Sequence, residues 1–113
     1  MGRAGAKGGL WERSILDWLR KDGYDAERLR LAGKEDEGDL VVKDGQAQYI
    51  IEAKDVARWS LPDWWRQAVV ERDNYAKHRG LDPANLTPLV VVKHRGKGTG
   101  QGWVITSMEE FFV

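Results

Sequence analysis

The chain has 113 residues, 42% of them apolar and 32% charged, with 18 basic and 18 acidic side chains and a formal net charge of zero. That length accommodates one compact domain with one modest core, and the composition suits a soluble globular chain rather than a disordered or membrane-embedded one. No apolar run approaches the roughly 20 residues that span a bilayer, and cysteine is absent, which excludes disulfides, thiolate zinc sites and a cysteine nucleophile together.

Residues 1–9 (MGRAGAKGG) are Gly-rich and basic and predict a flexible N-terminal arm, leaving 10–113 as the single folded domain. The arm has no apolar h-region, so a cytoplasmic, intracellular setting is expected. From about Leu10 to Lys21, Trp11, Ile15, Leu16, Trp18 and Leu19 fall on one side of a 3.6-residue wheel, and Gly23 ends the helix they predict. Glu12 lies within that apolar arc, where a carboxylate is costly unless paired, for instance with Arg28 or Arg30. Tyr24–Leu31 predicts a strand, and 32–38 a loop. Asp39–Lys43 and Gln48–Lys54 predict two strands of a hairpin joined at Asp44-Gly45.

Ser60 before Pro62 and Asp63 predicts the start of a helix that runs to His78 or Arg79 before Gly80. The uniformly apolar LVVVK from Leu89 predicts an interior strand. RGKGTGQG then reads as a flexible connection to a neighbouring strand at Trp103–Ile105, and Met108–Phe112 as a short helical turn. The order α-β-β-β-α-β-β predicts an α/β fold with a mixed central sheet flanked by helices. Six tryptophans are many for this length. Trp59, Trp64 and Trp65 are too closely spaced for all three to be buried; the cluster can serve as core, as a base-stacking platform or, the preferred reading, as an interface between two copies.

Strand residues alternate faces, so Ile50, Glu52 and Lys54 share one face of the hairpin while Tyr49, Ile51 and Ala53 share the other. Folding about Asp44–Ala47 sets Asp39 nearly opposite Glu52. Two carboxylates and an ammonium at one sheet edge suit phosphodiester hydrolysis. Asp39 and Glu52 are the expected ligands of Mg²⁺, or Mn²⁺ in its stead, with the carbonyl of Ala53 as a further donor and Lys54 acting on the attacking water. Taken singly, each has a plainer reading: Asp39 as an acid beside a turn, Glu52 and Lys54 as a surface ion pair worth roughly 0–1 kcal/mol. An acid inside the apolar YIIEAK favours the catalytic reading.

The residues G-D39-L-V-V, a hairpin and I-I-E52-A-K54 resemble the PD-(D/E)XK nuclease signature. The earlier Lys7-Gly8-x-x-x-Glu12-Arg13 resembles the opening of archaeal-type Holliday junction resolvases. The resemblance implies a restriction-endonuclease-like fold in which Glu12 completes the catalytic and metal-binding acids. It also implies phosphate contacts from Arg13 and Arg30, and a homodimer presenting two sites to a four-way DNA junction. Two positions depart from the pattern: Glu37-Gly38 stands where a proline precedes the first acid, and Leu31 where the resolvases have serine. Gln67 occupies a place where related nucleases carry an orienting glutamine. Lys7, Lys93, Arg95 and Lys97 complete the expected DNA contacts. The alternatives are a nuclease of the same chemistry acting on flaps, ends or duplex, and a DNA-binding module without catalysis.

Overall fold

The computed structural model describes residues 2–29 and 35–112, with side chains from Gly9 onward. The elements are α1 (Gly2–Lys21), β1 (Asp25–Arg28), β2 (Leu40–Asp44), β3 (Ala47–Lys54), α2 (Leu61–Arg79), β4 (Leu86–Val92), β5 (Trp103–Ile105) and α3 (Met108–Phe111). The five strands form one sheet in chain order. All neighbours are antiparallel except β3 and β4, which run parallel across the α2 crossover. This is the mixed α/β sheet expected from the sequence.

The two faces of β3 bury different helices. On one face, Trp11, Ile15 and Leu16 of α1 pack on Leu40, Val42, Ile51 and Val91, and the Trp11 indole N–H donates to the Val91 carbonyl at 3.1 Å. On the other, Tyr75 and Ala76 of α2 pack on Val41, Ile50 and Leu86, while Trp64 and Ala68 cover Val90 and Val92. With helices on both sides, β4 is apolar throughout its inner half.

Several local expectations change. The segment expected as a flexible arm is helical from Gly2. Once Trp11–Leu19 is docked, elongation adds one hydrogen bond per residue without a new nucleation cost, and Ala4, Ala6 and Lys7 offset part of the glycine penalty. The side chain of Lys7 lies outside the described ones, as do residues Arg30 and Leu31 entirely. Of the strand expected over 24–31, the described residues form Asp25–Arg28, the stretch that pairs with β2. Ser60 stands at the cap position of α2, but its hydroxyl donates to Asp63 Oδ2 at 2.6 Å instead of accepting from the helix. At the other end Gly80 closes α2 in the left-handed region (φ 64°), with Leu81 N–H returning to the Ala76 carbonyl.

The glycine-rich stretch before β5 is packed rather than loose. A Cβ on Gly100 would lie 3.0 Å from the Trp18 ring, and one on Gly102 3.1 Å from the Trp11 ring, so the two glycines let this segment lie flat on α1. The tryptophan cluster is likewise divided: Trp64 is buried, Trp65 packs partly against the same core, and Trp59 stays half exposed.

The segment before β2 is tied down on the C-terminal turns of α2. Glu37, buried, meets His78 Nδ1 at 2.5 Å and Arg79 Nη1 at 2.6 Å. Asn74 Nδ2 donates to the Asp36 carbonyl, and Lys77 pairs with Glu35. Burial works against the Glu37 charge, yet Arg79 and His78 hold its carboxyl below the usual range. Gly38, at φ 100°, then turns the chain onto β3, where a Cβ would stand 3.0 Å from Ile50 Cγ2 and 3.3 Å from the Ile51 carbonyl. Gly38→Ala is expected to lower the unfolding free energy by about 1–3 kcal/mol, read as a lower urea midpoint at unchanged slope.

Candidate active site

The topology gathers one end of the sheet. The C-terminal ends of parallel β3 and β4, the start of β2 and the end of β1 all lie there, because β2 runs antiparallel to both of its neighbours. The α2 N-terminus follows β3 directly and covers the Glu52 face.

Asp39 is pinned at this end by three hydrogen bonds. Its N–H donates to the Ile51 carbonyl at 2.9 Å, its carbonyl accepts from Leu29 N–H at 2.9 Å, and its Oδ2 accepts from Ala53 N–H at 2.8 Å. Since Leu40 pairs with Ile51, Asp39 falls opposite Glu52, as the hairpin spacing predicts. Glu52 is buried, and its Oε2 meets Lys54 Nζ at 3.1 Å. That ammonium also donates to Gln67 Oε1 at 3.1 Å and lies 5.9 Å from the centre of the Trp64 ring. Gln67 therefore does contact Lys54.

Glu71 was not among the expected site residues. It is only 2% exposed, on the face of α2 that carries Trp64, Ala68 and Tyr75. Gln67 Nε2 donates to its Oε2 at 3.1 Å, and its Oε1 has no hydrogen-bond donor among the described groups. Glu52, Lys54, Gln67 and Glu71 thus form one chain of polar contacts across the helix–sheet interface. The signal was an acid in register with an apolar stripe, at positions 64, 68, 71 and 75.

This crowding shifts the acids. Burial, then the neighbouring charge of Glu52, push Asp39 up to about 8 against the pull of the Ala53 N–H, with a smaller push from Glu12. Burial, then Glu52 and Asp36, push Glu71 up to about 10. Acids raised by burial and by a neighbouring carboxylate are a mark of functional sites.

The remaining expected residues divide. Glu12 turns to Arg28, 3.3 Å away, and Arg28 also donates to the Gly9 carbonyl. The helix acid is therefore near enough to perturb Asp39 while its charge is spoken for by Arg28. Arg13 pairs with Asp17 along the exposed side of α1. Lys93 follows β4, its N–H on the Lys54 carbonyl. Arg95 pairs with Asp55 at 3.2 Å, and Lys97 is exposed. Arg30 lies outside the described residues. Lys93, Arg95 and Lys97 thus lie at the site end of the sheet, and Arg13 on the flank of α1.

Among the described residues no three acidic or histidine side chains stand together as a ready metal cage, so the convergence of Glu12, Asp39 and Glu52 expected from the sequence is not present as such. Arg28 draws Glu12 aside, and Lys54 occupies one oxygen of Glu52. What remains is a pair of hard oxygen donors, Asp39 and Glu52, whose mutual repulsion a cation would relieve. That donor chemistry fits Mg²⁺, which takes one or two carboxylates and completes its shell with water.

No protein-family model matches the chain, and no curated protein sequence matches it. Among solved structures it is similar to Hjc of Archaeoglobus fulgidus, a Holliday junction resolvase from an archaeal hyperthermophile. The TM-score is 0.55 at 22% identity, over 83% of this chain and 74% of that one. The mixed five-stranded sheet between helices is the fold of that resolvase.

The buried acids set the pH dependence of stability. A carboxyl raised in the folded state opposes folding once the unfolded chain ionises near its ordinary value, and does so increasingly until pH passes the folded value. Glu71→Gln is therefore expected to match the wild type near pH 4 and to melt about 4 °C or more above it at pH 8 without divalent ions. Asp39→Asn should shift the same way. Parallel melting curves at both pH values would contradict the crowding of these acids.

Proposed function

We propose that the protein is a divalent-metal-dependent, structure-selective DNA endonuclease that hydrolyses phosphodiesters in branched DNA, with the four-way Holliday junction as its substrate. The observation that carries this reading is the adjacency of Asp39 and Glu52 beside the Lys54 ammonium, at one end of a sheet whose fold is shared with a resolvase.

In this reading Asp39 and Glu52 would hold Mg²⁺ (or Mn²⁺), with the Ala53 carbonyl and Glu12 as further donors. When bound, the cation would supply charge neutralisation at the phosphoryl oxygens and make water easier to deprotonate. Lys54, held between Glu52 and Gln67, presents an ammonium to the attacking water and to the charge that grows on the phosphate. Water forms the new bond to phosphorus as one ester P–O bond breaks. Gln67 fixes where the ammonium points. Arg13, Arg30, Lys93, Arg95 and Lys97 neutralise the flanking phosphates.

Two junction strands must be cut, which calls for two sites and hence a homodimer. Val104 on β5 and Met108, Phe111 and Phe112 on and beside α3 are large apolar side chains left exposed. They are the surface we assign to that contact, in preference to the Trp59–Trp65 segment, whose Trp64 is consumed by the core.

Asp39→Asn and Glu52→Gln are expected to abolish Mg²⁺-dependent cleavage while leaving junction binding intact, and Lys54→Ala to slow it about 10²- to 10⁴-fold. Unaltered cleavage in the variants would refute the assignment, and a wild type that binds junctions yet never cuts with Mg²⁺ or Mn²⁺ would leave a binding module. Offered four-way junctions, flaps and linear duplex together, the enzyme should nick junctions symmetrically. Light scattering should return twice the chain mass, and fall to the single mass in Phe111→Asp.

A further inference from the structure

Trp103 opens β5 at the site end of the sheet. It pairs with Val92, which pairs with Lys54, so Lys54, Val92 and Trp103 form one row across three strands. The next row is Glu52, Val90 and Ile105, and Ile105 packs with the α2-side core. By alternation, Trp103 projects from the same face as Glu52 and Lys54. With two strand spacings between them, its backbone lies about 10 Å from that of Lys54. Val104, by contrast, belongs to the α1 face, so Trp103 is not part of the apolar surface assigned above to the second copy.

The indole is built to stay in the open. His94 stacks on one of its faces, with ring centroids 4.8 Å apart and planes inclined by 28°, yet Trp103 remains 48% exposed. The support is firm: the His94 carbonyl accepts from Lys97 N–H, Arg95 is anchored to Asp55 beside Lys54, and the following turn lies flat on Trp18 and Trp11. Lys93 and Arg95 flank His94 in the chain, and Lys97 follows them in the exposed turn. An exposed aromatic ring bordered by cations beside a phosphodiester-cleaving centre has the makings of a nucleobase platform.

We infer that the open face of Trp103, backed by His94, takes a base of the bound DNA next to the phosphate held at Asp39, Glu52 and Lys54. This rests on the nuclease reading and deepens it. Inside a duplex both faces of every base are occupied by neighbours, so such a platform engages only a base unstacked at a branch, flap or end. Trp103 would therefore make the enzyme favour interrupted DNA over continuous duplex.

The test uses Asp39→Asn protein, which keeps the DNA whole, and DNA carrying 2-aminopurine at the branch of a four-way junction or a flap, beside a continuous duplex of the same sequence. The base fluorescence should change on binding to the branched probes. Trp103→Ala should abolish that change and weaken branched-DNA binding at least about fivefold, with duplex binding unaltered. Trp103→Phe should restore much of both, and the unaltered duplex binding of Trp103→Ala excludes a folding defect. Equal weakening on branched and continuous DNA, an unaltered 2-aminopurine signal, absence of DNA binding, or preference for the RNA counterparts would each overturn the platform. Failure of the nuclease reading is seen separately: wild-type protein without cleavage, but with the Trp103-dependent signal intact, would remove catalysis and leave the platform standing.

Discussion

Two hydrogen bonds between β3 and one residue organise the site: Asp39 N–H to the Ile51 carbonyl, and Ala53 N–H to the Asp39 carboxylate. They extend the β2–β3 ladder by one residue and use the side chain of Asp39 as part of the sheet. An acid is thereby held opposite a buried acid, Glu52, where burial and that neighbour disfavour the charge of Asp39. A slip of one residue in this pairing would carry Glu52 and Lys54 to the α1 face and dissolve the arrangement. The turn at Asp44-Gly45, with Gly45 at φ 62°, and the close approach at Gly38 are what prevent that slip.

Around this constraint the helices have distinct tasks. α1 closes one face with tryptophan and aliphatic side chains and brings Glu12 and Arg28 together at the rim. α2 closes the other, sends Glu71 into the interface toward Glu52 and sets Gln67 at its exposed edge against Lys54. The far turns of α2 grip Glu37, so the same helix that contacts the lysine also anchors the chain leading into Asp39. Such placement of carboxylates costs stability in the empty protein, a common consequence of preparing charge for a ligand.

The hairpin and its placement of Asp39 opposite Glu52-x-Lys54 were legible because they depend on local rules: a period of two and a turn dipeptide. The span of α2 was legible for the same reason, through Pro62 and Gly80. Glu71 was not. It carries the signal that marks Glu12, an acid at helical spacing among apolar residues, but what it meets is fixed only by the strand opposite, which carries Glu52. The burial of Trp64 depends on Val90 and Val92, which arrive only after α2 has ended. The glycines at 100 and 102 read as slack because the rings they accommodate, Trp18 and Trp11, lie at the other end of the chain. Glu12 was rightly singled out as an acid in an apolar arc, but its partner was decided by the pairing of β1, which brings Arg28 to it.

All the charged machinery lies at one end of the sheet, and β3 spans eight residues from there to the hairpin turn at Asp44–Ala47. That turn is about 26 Å from Lys54 along the strand, exposed, and free of every contact that shapes the acids. It is therefore a natural tethering point: a fluorophore, an affinity handle or a second folded unit grafted there would ride on the rigid hairpin while leaving the opposite end untouched.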